Sequence, residues 1–208
     1  MLKVWKRNHT NDFTNFAEEN IRICGKKGIK ENAAIPCKIE HLRRNTGLNR
    51  SYEKMIKILF VCHGNICRSP MAEFILKDIA DKSGLTARFH IASAATSFEE
   101  IGNPVYPPAR RKLKEHGIDS GGKRAVRVTK ADYDKYDYLI CMDRNNVRNL
   151  MRIIGSDPDR KVSMMLDYTD RPGDVADPWY TGNFDITYRD ILEGCQGFME
   201  FLHRQGEI

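Results

Sequence analysis

The rhythm of apolar and polar positions changes near residue 55. Before it, apolar residues are scattered among Asn, Lys and Arg, with neither a helical nor an alternating period. After it, short apolar runs alternate with amphipathic stretches. IKILFVC (56–62) is almost continuously apolar, the pattern of a strand buried on both faces. MAEFILKDIADKSG (71–84) brings Met71, Phe74, Ile75, Ile79 and the following Leu85 near one helical face, with Ser69 as its cap and Pro70 in its first turn. ARFHIASA (87–94) predicts a second strand, and PPARRKLKEHGI (107–118) a helix ended by Gly117. DYLICMD (137–143) predicts a third strand, NNVRNLMRIIG (145–155) a helix, KVSMML (161–166) a fourth strand, and FDITYRDILEGCQGFMEFLHRQ (184–205) a long amphipathic helix. This alternation predicts an α/β fold: one three-layer domain over 55–208, a four-stranded parallel sheet with helices on both faces. Ligands of such sheets bind beyond the carboxyl ends of the strands.

Charge sharpens the boundary. The net charge of +6 comes entirely from residues 1–54, which hold 12 Lys/Arg and 6 Asp/Glu, leaving 22 of each sign in 55–208. The main body therefore has no bulk charge to steer it to nucleic acid. Residues 1–54 are expected to form a basic N-terminal extension, disordered or poorly packed. The first residues carry no secretory core, and no apolar run approaches the ~20 residues of a membrane span. The six cysteines (Cys24, Cys37, Cys62, Cys67, Cys141 and Cys195) accordingly read as reduced thiols of a cytoplasmic protein. Cys24, Cys37 and His41 have poor zinc spacing, C-x12-C-x3-H, and no metal is expected.

The chemistry concentrates in FVCHGNICRSP (60–70). Cys62 ends the first strand, and the loop HGNICR leads into a helix. Free backbone N–H groups and the positive end of the helix dipole meet there, which makes an anion site. Gly64 allows a positive φ or a close approach, and Asn65 tolerates the left-handed region. A loop so curled aims several N–H groups at one centre, and Arg68 adds a planar fork for two phosphate oxygens. That field favours the thiolate of Cys62, a nucleophile in line with a bound phosphorus. Taken alone, a strand-end cysteine is more often a small buried apolar residue. The Gly-Asn and Arg-Ser spacing at a strand-to-helix junction argues against that here. The loop has no GK[ST] and no GxGxxG, so a nucleotide site is not indicated.

A phosphocysteine mechanism needs an acid to protonate the leaving oxygen and then activate water. Asp177, in DVADPWYTGNF (174–184), is held extended by Pro178 and followed by Trp179 and Tyr180. A simple turn before the last helix is the plainer reading of that segment. Asp167, Asp170 and Asp174 are nearby carboxylates without a fixing proline or flanking aromatics.

Residues 56–204 resemble the low molecular weight protein tyrosine phosphatases. VCHGNICRSPMAE matches the family's signature loop V-C-x-G-N-x-C-R-S-P-x-A-E, and ASAATS (92–97), KEHGI (114–118), LICMD (139–143) and DPWY (177–180) match later blocks in order. The resemblance implies Cys62 as nucleophile, Arg68 as phosphate clamp and Asp177 as general acid and base. It implies that His63, Gly64, Asn65, Ile66 and Cys67 line the phosphate loop, that Ser69 hydrogen-bonds the thiolate, and that Asn65, Ser93 and His116 pin the loop. Trp179 and Tyr180 would wall a phosphotyrosine ring. In that family the cysteine equivalent to Cys67 forms a reversible disulfide with the nucleophile; simple packing beneath the loop is the alternative. Cys141 and Cys195 read as core residues. Glu99 stands where many members carry an aromatic wall residue, with Phe98 beside it as a substitute, and a carboxylate there favours basic over acidic peptides.

The implied function is hydrolysis of phosphotyrosine and small aryl phosphates without cofactor. The implied partners are phosphotyrosine proteins, a bacterial tyrosine kinase among them, with neither nucleic acid nor membrane, and with the protein as a monomer. Two rivals share the fold. Arsenate reduction needs a thiol relay, for which Cys141 has no partner thiol in MDRNNVR. Members that hydrolyse phosphoarginine carry Thr where Ile66 stands, and bulky Ile66 favours an aryl ester.

Overall fold

The computed structural model describes residues 54–208. Of the expected extension, only Lys54 falls within them, and its ammonium pairs with Asp137 at 2.8 Å. Cys24, Cys37 and His41 lie outside the described residues.

Four parallel strands stand in the order β2-β1-β3-β4: β1 (Ile56–Cys62), β2 (Phe89–Ala95), β3 (Tyr138–Cys141) and β4 (Val162–Met164). The apolar run of β1 is explained by its central place, paired along its whole length with β2 and along Ile58–Val61 with β3. Its side chains alternate between two cores. Ile58 and Phe60 face helices α1 (Arg68–Lys82), α2 (Pro107–Glu115) and α6 (Phe184–Gln205), packing among Met71, Ile75, Leu113, Ile191 and Phe198. Leu59 and Val61 face the opposite layer, where α3 (Asp132–Lys135) and α4 (Arg144–Ile154) contribute Tyr133, Leu150 and Ile154. The expected three-layer architecture is the one observed. The bounds of β1 and α6 match the pattern, and the other elements differ by a few residues at their ends.

Helix α1 starts earlier than its apolar face, at Arg68. Cys67 holds the cap position and supplies no side-chain cap; Ser69, expected as the cap, lies inside the first turn, and its hydroxyl meets Cys62. Two four-residue helices, α3 and α5 (Pro178–Thr181), and a 3-10 turn over Met165–Tyr168 had no periodic signal long enough to read. That turn lies so close to α6 that a Cβ on Gly197 would stand 2.0 Å from the Tyr168 carbonyl oxygen. Among the described residues no helix is long and apolar enough to cross a membrane.

Candidate active site

The loop between β1 and α1 sits at the carboxyl end of the sheet. Asn65 adopts φ +57°, the left-handed conformation its short amide tolerates. Gly64 serves the second purpose open to it: a Cβ there would come within 3.1 Å of Glu100 Cγ. The loop curls so that the Asn65 N–H points at Cys62 Sγ, 3.2 Å away, and Ser69 Oγ lies 3.0 Å from the same sulfur. Cys62, Asn65, Arg68 and Ser69 are all buried.

Arg68 is held between two carboxylates. Its Nη1 donates to Asp143 Oδ2 at 2.6 Å and its Nη2 to Asp177 Oδ2 at 2.5 Å. Burial works against the guanidinium's charge, but the negative charges of Cys62, Asp177 and Asp143 outweigh it and raise its pKa above the ordinary value. Asp177 is the N-cap of α5, in extended backbone, and its Oδ1 accepts the Trp179 N–H at 3.0 Å. The residue expected as the acid is thus also the cap of the turn. Two of the three competing carboxylates are engaged elsewhere: Asp167 caps the Met165–Tyr168 turn, and Asp174 accepts the Arg144 N–H.

Cys62, Arg68 and Asp177 open onto one cleft of about 260 Å³, lined also by His63, Gly64, Ile66, Cys67, Glu99, Trp179 and Tyr180. Trp179 leans on Tyr106, ring centroids 5.5 Å apart, while Tyr180 is 86 % exposed. Glu99 is exposed and meets His63, Oε2 to Nε2 3.0 Å. Phe98 does not substitute for an aromatic wall; it lies under the Arg127 guanidinium, 3.9 Å from its ring centre, and does not line the cleft. A larger cavity, about 800 Å³, lies at the opposite, amino end of β1 and β3, among Lys54, Ile56, Tyr138 and Glu207, and its lining holds no thiol.

The two loop cysteines differ in kind. Cys67 is buried among Ile66 and Ala125, and burial, reinforced by the charge on Cys62, pushes its thiol up to about 12. Cys141 and Cys195 are fully buried core residues whose thiols are raised by burial as well, so Cys141 offers no accessible thiol for a reductive relay.

The structure places Ser93 under the loop as expected, accepting from Asn65 Nδ2 at 2.8 Å. His116 is not part of that network. It lies at the exposed end of α2, stacked on Tyr188 with ring centroids 3.9 Å apart, because Gly117 turns the chain at the surface. Its expected place is taken by residues the sequence reading passed over. Glu73 accepts the Ser93 hydroxyl at 2.6 Å, and Lys123 bridges Glu73 Oε2 (2.9 Å) and the Ser93 carbonyl (3.0 Å). Glu73 had one signal: it lies one helical turn beyond Ser69 and one before Lys77, with which it pairs, on a single face of α1. Asp143 had another, as a carboxylate at the carboxyl end of a central strand. Lys123, in a glycine-rich loop, had none.

A family model described as low molecular weight phosphotyrosine protein phosphatase matches residues 57–207. The low molecular weight protein-tyrosine-phosphatase YfkJ of Bacillus subtilis is 38% identical over 156 residues, spanning 74% of this chain and 100% of the relative. The crystal structure of YfkJ superposes with a TM-score of 0.70 at 39% identity, over 73% of this chain and 97% of that one. The low molecular weight protein tyrosine phosphatase of Streptococcus pyogenes gives 0.63 at 40% identity, over 72% and 93%. A Drosophila arginine phosphatase gives 0.65 at 29% identity, over 70% and 97%. With the signature loop, the sheet order and the family model in agreement over the described domain, the chain belongs to the low molecular weight phosphotyrosine protein phosphatases, a family of hydrolases.

Proposed function

We propose that the protein hydrolyses phosphotyrosine, and small aryl phosphates, through a phosphocysteine intermediate. The observation that carries this reading is the sulfur of Cys62 facing two hydrogen-bond partners at the helix N-terminus, on the same cleft as Arg68 and Asp177. Cys62 Sγ attacks phosphorus as the phosphorus–phenolic oxygen bond breaks, and Asp177 gives its proton to the leaving oxygen. Water then attacks the phosphocysteine, Asp177 takes the water's proton, and the sulfur–phosphorus bond breaks to release phosphate. The N–H groups of the loop and the Arg68 guanidinium carry the charge of the equatorial oxygens through both steps.

Ile66, Trp179 and Tyr180 give the cleft an aliphatic and aromatic wall suited to a phenyl ring. Glu99 and Glu100 at its edge favour phosphopeptides with Lys or Arg beside the phosphotyrosine. Phosphotyrosine proteins of the cytoplasm, a bacterial tyrosine kinase among them, are the substrates this reading names, and the enzyme acts as a monomer. The likeness to an arginine phosphatase makes phosphoarginine the rival substrate. A panel of phosphotyrosine, phosphoarginine and phosphoserine peptides, assayed in EDTA, decides between them. Preferential turnover of phosphotyrosine is expected; preferential turnover of phosphoarginine, or a requirement for added Mg²⁺, would overturn the reading.

A further inference from the structure

The cleft lies over the carboxyl end of β1, and the sheet order β2-β1-β3-β4 puts a different element on each side of it. On the β2 side stand Glu99 and Glu100, in the loop that follows that strand. On the β3 side stands α4, whose Asn145, Asn146 and Asn149 line the same cleft. Asp143, the cap of α4, grips Arg68; the rest of the helix has no part in the mechanism above.

The sequence of α4, RNNVRNLMRII, holds arginines and no acidic residue. Arg144, Arg148 and Arg152 recur every four positions, which sets them in one exposed stripe, while Leu150 and Ile154 fill the core on the other side. None of the three arginines has an ion-pair partner among the described residues. Asp174, beside the stripe, gives an oxygen to the Arg144 backbone N–H. Arg148 Nη2 donates to Asn145 Oδ1, and Arg152 Nη1 donates to Asn149 Oδ1 at 2.9 Å. Each of these bonds runs back along the helix, so both guanidinium groups lean toward its N-terminus and the cleft. The same bonds occupy the two amide oxygens and leave the amide nitrogens of Asn145 and Asn149 as unused donors on residues that line the cleft. Positive charge thus extends from the cleft edge for about 12 Å, the helical rise from Arg144 to Arg152. An extended peptide covers that length with about four residues.

We propose that the arginine stripe of α4 is a docking surface for acidic residues of the substrate, so that the two edges of the cleft read opposite charges on the two flanks of the phosphotyrosine: Lys or Arg toward Glu99 and Glu100, Asp or Glu toward Arg148 and Arg152. The proposal rests on the phosphotyrosine reading above and adds to it the order of charge along the substrate. Charge complementarity names the occupant. A guanidinium takes a carboxylate by two oxygens at once, and the asparagine amides donate to further carboxylate or peptide oxygens. Continuity with the cleft says that the occupant is the phosphorylated chain itself, because Asn145 and Asn149 belong both to the cleft wall and to the hydrogen bonds of the stripe.

The test uses two phosphotyrosine peptides of identical composition. One has about four acidic residues before the phosphotyrosine and as many basic ones after it; the other has the flanks exchanged. Their net charge is the same, so general attraction to the protein does not distinguish them. With the full chain at low salt, kcat/KM should favour one order by about five- to twentyfold, the scale of a few exposed charge pairs, and the ratio should fall toward one at high salt. Arg148→Glu combined with Arg152→Glu should cut that ratio several-fold and leave turnover of p-nitrophenyl phosphate within about twofold, since the small ester does not reach the stripe. Arg148→Lys with Arg152→Lys should keep most of the preference. Equal turnover of the two orders, or a preference that the charge reversal leaves unchanged, would overturn the proposal. Loss of the small ester's turnover in the reversed variant would do so as well, because the stripe would then support the site and not the substrate. Equal peptides together with binding to phosphatidylserine vesicles that the reversal abolishes would assign the stripe to a membrane instead. Failure of the phosphotyrosine reading is separate: it would appear as phosphoarginine peptides turned over faster than either order.

Discussion

The floor and the rim of the cleft are built by opposite rules. Under the loop, Asn65, Ser69, Glu73 and Ser93 are buried, and each has at least two hydrogen-bond or ion-pair partners. Above it, Glu99 and Tyr180 are exposed, and the Glu99 carboxylate has His63 as an exposed counterpart. Buried polar groups cost several kcal/mol unless satisfied, so the floor admits one arrangement. Exposed pairs contribute about 0–1 kcal/mol, so the rim is free to vary with substrate. The difference separates a reaction fixed by the fold from a selectivity written on its surface.

The strongest way to break this division is at the sulfur. Cys62→Ser should lose measurable turnover of an aryl phosphate while still binding inorganic phosphate in a calorimeter, since Arg68 and the loop N–H groups remain. Loss of phosphate binding as well would mean that the sulfur also holds the loop together. Asp177→Ala comes next. It should slow phenyl phosphate by about 10²–10⁴-fold, the usual worth of general acid catalysis, and p-nitrophenyl phosphate far less, because that leaving group needs little protonation. Equal losses for the two esters would remove Asp177 from the acid's role.

Of those two residues only Cys62 had a plain local signal; Asp177 read locally as a turn, and the resemblance supplied its role as acid. β1 was legible because a strand buried on both faces must be apolar throughout, and α6 because 22 residues hold a clear helical period. The loop was legible because few sequences place a thiol, Gly-Asn and an arginine at that spacing. Its supports were not. Lys123 acts across space from a glycine-rich loop, and Asp143 was read as the tail of a strand although it caps α4 and grips Arg68. His116 was assigned a role by its place in a motif and stands instead on Tyr188. Local pattern reports what a residue is near in sequence; the floor of this site is assembled from β1, α1, β2 and the loop before α3.

A smaller effect sharpens the comparison through acid stability. The folded Glu73 carboxyl lies below its ordinary value of 4.5, so its contribution to stability is present above that value and is lost as pH falls through the folded one. Lys123→Met weakens that depression. The gap in melting temperature between native protein and variant should therefore be widest near neutral pH and narrow below pH 4.5. A constant gap across that range would show that Lys123 contributes packing alone. The smallest effect belongs to the rim. Glu99→Lys should leave turnover of p-nitrophenyl phosphate within about twofold and shift peptide preference from basic toward acidic sequences by several-fold in kcat/KM, with the difference fading at high salt. A loss on the small ester would place Glu99 with the floor.

The double grip on Arg68 has a consequence for binding itself. In this structure one buried guanidinium faces the carboxylates of Asp143 and Asp177 and the sulfur of Cys62. A phosphate dianion entering that company brings more negative charge than one cation offsets, so it arrives together with a proton, and the proposed mechanism says where that proton rests: on Asp177, ready for the leaving oxygen. Binding and protonation are then a single event. The heat of phosphate binding should vary with the ionisation enthalpy of the buffer, and a buffer-independent heat would mean that the proton was already in place.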